Sequence, residues 1–196
     1  MNLILGDCLE QMAKIADKSI DLCLTDPPYG TTKEHWDIKP SQKYFNEIFR
    51  VSKNQIIFGG NWFNLPKKDG WIVWNKMPFL KTTNHCELLW TSFLKKNKVI
   101  DFLFAGNCVG TRTPDYKRPK VFFTSEKPME FIKVLISTFA PNSKTILDPF
   151  MGTASTGVAC KNLGIDFIGI EKDENHFNIA KQRCGVKPKA KWSEIP

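Results

Sequence analysis

Ile20-Asp21-Leu22-Cys23-Leu24-Thr25-Asp26-Pro27-Pro28-Tyr29 sets Ile20, Leu22 and Leu24 in alternation with Asp21, Cys23 and Thr25, then stops on two prolines. Alternation of that period is a strand signal, and proline cannot continue a hydrogen-bonded ladder, so Asp26 stands at the carboxyl end of a strand. Far downstream, Thr145-Ile146-Leu147-Asp148-Pro149-Phe150-Met151-Gly152-Thr153-Ala154 repeats the plan: a short apolar run, an aspartate, then a loop carrying a glycine. In an open α/β sheet such strand ends border the crevice where ligands bind. The two segments therefore predict two ligands meeting at one sheet edge.

Outward from these segments the chain alternates strand and helix patterns. Asn2 to Leu5 reads as a strand ended by Gly6-Asp7, with a helical stretch from Leu9 to Ile15. Ser41 can cap a helix whose Tyr44, Phe45, Ile48 and Phe49 share a face. Gln55 to Phe58, ended by Gly59-Gly60, Trp71 to Trp74 and Cys86 to Phe93 suit further strands. Pro128 fits the first turn of a helix with an apolar stripe of Phe131, Ile132, Leu135, Ile136 and Phe139. Ser155 to Leu163 is a helix closed by Gly164, Asp166 to Ile170 a strand ending in Glu171, and Asp173 to Arg183 a last helix before Gly185. Residues 1–185 thus predict one α/β domain with helices on both faces of a mostly parallel sheet, and 186–196 a loose basic tail.

Asp7, Asp26, Asp148 and Glu171 each fall where a strand gives way to a loop. Any one alone would be a helix cap, but in a parallel sheet the four ends line up. Glu171 follows the glycine loop by about 20 residues, the spacing at which an acid reaches ribose hydroxyls in nucleotide-binding α/β units. The Gly152 loop lacks the Lys-Ser/Thr ending of a phosphate-binding loop, and carboxylates around it suit a cationic ligand better than a pyrophosphate. In Asp26-Pro27-Pro28-Tyr29, two prolines fix the backbone and withhold donors, leaving the Asp26 carboxylate and Pro27 carbonyl as acceptors beside a flat tyrosine. Such a group is built for an aromatic amine, whose nitrogen it would aim at an electrophilic carbon.

These motifs identify a resemblance from Leu3 to about Arg183: the chain is similar to amino-group DNA methyltransferases that use S-adenosylmethionine. The catalytic motif precedes the donor motif, as in the β group, so the resemblance implies a Rossmann-like methyltransferase sheet, circularly permuted, with a small target-recognition insertion near residues 93–121. It implies a catalytic role for Asp26, Pro27, Pro28 and Tyr29 on a flipped base, and donor binding by Asp148, Phe150, Gly152, Thr153 and Glu171. Gly6-Asp7-Cys8 resembles the element on the donor's adenine, giving Asp7 and Cys8 to the cofactor, and Lys127-Pro128 resembles the element beside its methionine part. Ala154 and Ser155 depart from a second glycine and a threonine common in the family, which implies a slightly altered loop. The implied target is adenine N6, because aspartate rather than serine opens the motif, with cytosine N4 as the alternative. RNA or protein methylation, and a binding module without activity, fit the motifs less well.

A formal net charge of +8 over 196 residues suits a polyanionic partner, although charge alone fits a merely soluble basic protein equally. Double-stranded DNA is the expected partner, and the resemblance admits a homodimer and a companion restriction endonuclease. Lys95, Lys96, Arg112, Lys117 and Arg118 are the candidate DNA contacts, with Arg112 and Arg118 suited to guanine edges. Trp36 can close over a flipped base or fill the vacated stack, or belong to the core. No run reaches the length of a membrane span, the six cysteines read as reduced thiols of a cytoplasmic protein, and His35, His85 and His176 share no metal-ligand spacing.

Overall fold

The computed structural model describes residues 1–34, 36–77, 84–105, 108–110 and 126–185. Its strands are β1 (Asn2–Leu5), β2 (Ile20–Thr25), β3 (Ser52–Phe58), β4 (Trp71–Asn75), β5 (Cys86–Thr91), β6 (Lys98–Asp101), β7 (Leu103–Ala105), β8 (Cys108–Gly110), β9 (Thr145–Asp148) and β10 (Asp166–Glu171). Its α-helices are α1 (Cys8–Met12), α2 (Gln42–Val51), α3 (Met129–Phe139), α4 (Ser155–Leu163) and α5 (Glu174–Cys184). Eight strands form one sheet in the order β1-β10-β9-β2-β3-β5-β4-β6, while β7 and β8 pair as a separate antiparallel hairpin.

Among the eight, β5 runs against both of its neighbours, β3 and β4, and the other described pairings are parallel. From β9 the chain winds outward to β10, and from β2 it winds the other way to β3. The winding therefore reverses between β9 and β2, which makes their carboxyl ends the switch point of the sheet. Those ends are Asp148 and the Thr25-Asp26 step.

Alternate residues of the central strands feed two cores. Leu22, Leu24, Ile56, Phe58, Ile146 and Phe167 pack with Phe131, Leu135, Ala159 and Ala180 of α3, α4 and α5. Cys23, Ile57 and Leu147 pack on the opposite face with Cys8, Met12, Phe45, Ile48 and Val51 of α1 and α2. The helices thus cover both faces, which is why β2 is buried along both sides although its sequence alternates. Trp74 stacks on Phe131 with ring centroids 4.1 Å apart, tying β4 to α3.

Local signals account for most element ends. Asp7 accepts from the Leu9 and Glu10 N–H groups and starts α1 at Cys8; Asp173 accepts from His176 N–H at the start of α5. Gly164 and Gly185 end α4 and α5 in the left-handed conformation. Ser41 stands at the N-cap of α2 but its side chain makes no capping bond, and Pro128 is the cap of α3 rather than its first residue. The expected strand to Phe93 ends at Thr91, where the Thr91 hydroxyl donates to the Gly70 carbonyl.

Candidate active site

The donor-side expectation falls on the loop between β9 and α4. Gly152 has φ 51° and Ala154 φ 63°, so the loop turns twice through the left-handed region before α4 begins. Several side chains brace it. Glu171 accepts from the Gly152 N–H through Oε2 and from the Asp173 N–H through Oε1. Arg183 donates to both the carbonyl and the hydroxyl of Thr153, and its other nitrogen pairs with Glu126, which also accepts from the Ser155 hydroxyl at 2.6 Å. Ala154 sits where glycine would be unstrained, and the loop carries it inside this brace.

Asp148 lies beneath the loop, buried, and accepts from the Thr25 hydroxyl at 2.7 Å and the Phe150 N–H at 3.2 Å. Among the described residues it makes no ion pair with a lysine or arginine. Burial lifts its pKa to about 7 against the pull of its neutral hydrogen-bond donors, and the nearby Asp26 charge adds to the rise. A carboxylate this buried and without a cation of its own favours a positively charged guest.

The base-side expectation falls on the turn after β2. Asp26 accepts the Tyr29 hydroxyl on Oδ1 at 2.5 Å and holds the Lys127 ammonium on Oδ2 at 2.8 Å. Burial first, then the Asp26 charge, push the Tyr29 phenol well above its ordinary pKa, so it acts as a donor. Its ring lies 6.2 Å from Trp62 at 14° and 5.9 Å from Phe63. Gly59, left-handed at the end of β3, leaves room for that ring, since a Cβ there would collide with it. The loop after the motif is stapled by Asp37, whose oxygens accept from the N–H groups of Gly30, Thr31 and Thr32 at 2.6–2.8 Å. Burial works against that carboxylate, but the three backbone donors hold its pKa below the ordinary value.

Both segments open onto one cavity of about 530 Å³. Asp26 to Tyr29, Trp36, Lys76, Glu87 and Lys127 line one part of it; Gly6 to Cys8, Asp148 to Thr153 and Ile170 to Lys172 line the other. The Thr25-to-Asp148 hydrogen bond is the seam between them. Expected residues Asp7, Cys8, Asp26, Pro27, Pro28, Tyr29, Lys127, Asp148, Phe150, Gly152, Thr153 and Glu171 therefore share a single space. Asp7 combines places: it caps α1 and accepts the Tyr44 hydroxyl at 3.1 Å. Burial, with the Asp7 charge behind it, raises the Cys8 thiol to about 12, which keeps it neutral. Lys127, expected beside a donor's methionine part, has its ammonium on Asp26.

The lysines expected to meet DNA separate from this cavity. Because β5 runs antiparallel, the loop after it returns to the amino edge of the sheet, and exposed Lys95 and Lys96 stand there, away from Asp26. Neither lines the cavity. The next part of the insertion turns back: Phe102 and Phe104 N–H groups bond the carbonyls of Asn75 and Lys76, and Phe104 lines the cavity. Arg112, Lys117 and Arg118, like the tail from 186 to 196, lie outside the described residues. Sequence reading missed Thr25, Asp37, Gly59, Lys76, Glu87, Glu126 and Arg183. Of these only Gly59 carried a signal, as the end of a strand.

Comparison with known proteins follows the same lines. A family model described as DNA methylase matches residues 81–182, just over half of the chain. The Type II methyltransferase M.HinfI of Haemophilus influenzae is 28% identical over 96% of this chain and 70% of its own length. Among solved structures, the M1.HpyAVI complex with SAM superposes with a TM-score of 0.58 at 24% identity, covering 93% of this chain and 98% of that one. The cytosine-N4-specific PvuII DNA methyltransferase does so with a TM-score of 0.60 at 14% identity, covering 96% and 87%. The two structures share the fold, and the family match adds the lineage: a permuted α/β sheet whose two acidic loops open into one cavity is here the sheet of a member of the DNA methylase family.

Proposed function

We propose that the chain transfers a methyl group from S-adenosylmethionine to the N6 amine of an adenine flipped out of duplex DNA. The observation that carries this reading is the single cavity shared by Asp26 and the Asp148-to-Thr153 loop. The residues fit the donor: among the described residues Asp148 is buried without a cationic partner, Glu171 borders the same space, and a Cβ at Gly152 would meet no described atom within 4 Å. Asp148 and Glu171 would hold the donor's charged and ribose parts, with Asp7, Cys8 and Phe150 around its base.

When bound, the donor supplies an electrophilic methyl on a sulfonium. Asp26 and the Pro27 carbonyl accept from the target amine and aim its lone pair at that methyl, which is positioning joined to electrostatic stabilisation. Transfer would leave on the amine nitrogen the positive charge that the sulfonium gives up, and Asp26 would take the surplus proton from that nitrogen and release it to solvent. Tyr29, braced by Trp62 and Gly59, keeps Asp26 oriented through its hydroxyl. The hairpin of β7 and β8 and the residues up to 121, with Arg112, Lys117 and Arg118, form the proposed recognition region.

Incubation with methyl-labelled S-adenosylmethionine and unmethylated duplex DNA, followed by nucleoside analysis, tests the reading. Label in N6-methyladenine is expected. Label in N4-methylcytosine moves the target to the alternative amine, and no label in DNA overturns the proposal.

A further inference from the structure

One wall of the cavity is a row of alternating charges drawn from four separate stretches of chain. Lys76, just after β4, pairs with Oε1 of Glu87 on β5; Lys127, before α3, stands 3.5 Å from Glu87 Oε2 and 2.8 Å from Asp26 Oδ2. All four side chains are largely buried, 13% exposed for each lysine, 23% for Glu87 and 27% for Asp26. Glu87 Oε2 is shielded from solvent and, among the described residues, accepts no hydrogen bond, with the Lys127 ammonium 3.5 Å away. Lys127 thus has two carboxylates within reach and bonds closely to only one of them. Together Asp26 and Glu87 outweigh burial and hold Lys127 protonated, while Lys127 and Lys76 outweigh burial and hold Glu87 ionised.

Both oxygens of Asp26 are taken, Oδ1 by Tyr29 and Oδ2 by Lys127. An incoming amine needs one of them. An ammonium held 2.8 Å from that carboxylate would also oppose the positive charge that grows on the amine nitrogen during transfer. The orphaned Oε2 of Glu87 is a prepared second seat for that ammonium, reached when the 3.5 Å gap closes to hydrogen-bond length.

We propose that Glu87, fixed in place by Lys76, is a positioning residue that takes the Lys127 ammonium over from Asp26 when the target amine arrives. Lys127 then has two stations: on Asp26, where it keeps the carboxylate aimed, and on Glu87, where it leaves the carboxylate to the substrate. The proposal rests on Asp26 being the acceptor of the target amine.

Single-turnover methyl transfer to mixed-sequence unmethylated duplex DNA, alongside equilibrium titration of the donor, tests it. Glu87→Gln keeps the shape and removes the charge, so the rate at saturating donor and DNA falls at least tenfold while donor affinity stays within twofold. Glu87→Asp, which restores the charge, recovers part of the rate. Because Glu87 acts through Lys127, Glu87→Gln adds no further loss in a Lys127→Met background. A wild-type rate in Glu87→Gln, or losses that multiply in the double variant, overturns the proposal. If Glu87→Gln does not fold, Lys76→Met is judged by the same rate and affinity criteria. A wild-type protein that methylates no DNA brings down the proposed function and this proposal with it; an active wild type with an indifferent Glu87→Gln brings down this proposal alone.

Discussion

The two halves of the cavity are held in opposite ways. On the donor side, the loop from Asp148 to Ser155 is fixed by bonds to its backbone, from Glu171 to the Gly152 N–H and from Arg183 to the Thr153 carbonyl, while its buried carboxylate has no cation among the described residues. On the base side, two prolines fix the backbone and the carboxylate is already paired, with Lys127 behind it. The contrast teaches which guest each half suits. A buried acid lacking a counter-charge calls for a cation, which is what a sulfonium donor brings; an acid that already has an ammonium beside it does not call for a cationic guest.

Substitutions can break this contrast. Removing the base-side carboxylate has the largest expected effect: Asp26→Ala lowers methyl transfer about a hundredfold or more, the scale for losing one preorganised electrostatic contact, with donor affinity kept. Single-turnover rates beside a donor titration read it, and loss of donor affinity in that variant would erase the division between the halves. Glu171→Ala acts in reverse. It weakens donor binding by about tenfold, the scale of a charge-assisted hydrogen bond, and leaves the rate at saturating donor nearly intact.

A titration sharpens the contrast further. Asp148 has its pKa raised to about 7, and a cationic donor binds the ionised carboxylate, so affinity rises as pH rises through that value. Between pH 6 and pH 8 the ionised fraction, and with it donor affinity, grows about tenfold. Asp148→Asn flattens that slope in calorimetric titrations, and a slope that survives the substitution assigns the proton elsewhere.

Two smaller effects concern the backbones that present the carboxylates. Asp37→Ala leaves the N–H groups of Gly30, Thr31 and Thr32 without their acceptor and costs about 1–3 kcal/mol of stability, measured by denaturant unfolding. Ala154→Gly relieves a left-handed alanine at φ 63° but loosens the unfolded chain, for a net gain of no more than about 1 kcal/mol. A clear loss of stability in Ala154→Gly would show that the methyl packs in a way that outweighs its strain.

The strand ends carrying Asp26, Asp148 and Glu171 were legible because each is a local event: an apolar run, a polar stop and a proline or glycine within a few residues. Gly164 and Gly185 announced helix ends for the same reason. What escaped was set by pairing between distant segments. Nothing local marks β5 as antiparallel, yet its direction carries Lys95 and Lys96 to the amino edge of the sheet and brings Glu87 beside the cavity. Thr25 looked like an ordinary strand residue until β9 was laid beside β2 and put Asp148 within hydrogen-bond reach. Arg183 and Glu126, far apart in sequence, meet only because α5 and the approach to α3 flank the same loop.

The most direct test of the shared cavity is a crystal structure with an inert donor analogue in which an amine replaces the methyl-bearing sulfonium. The analogue is expected between Asp7-Cys8, the Phe150-to-Thr153 loop and Glu171, its amine directed at the Asp26 carboxylate. An analogue seated elsewhere, or one whose amine faces away from Asp26, would contradict the shared cavity.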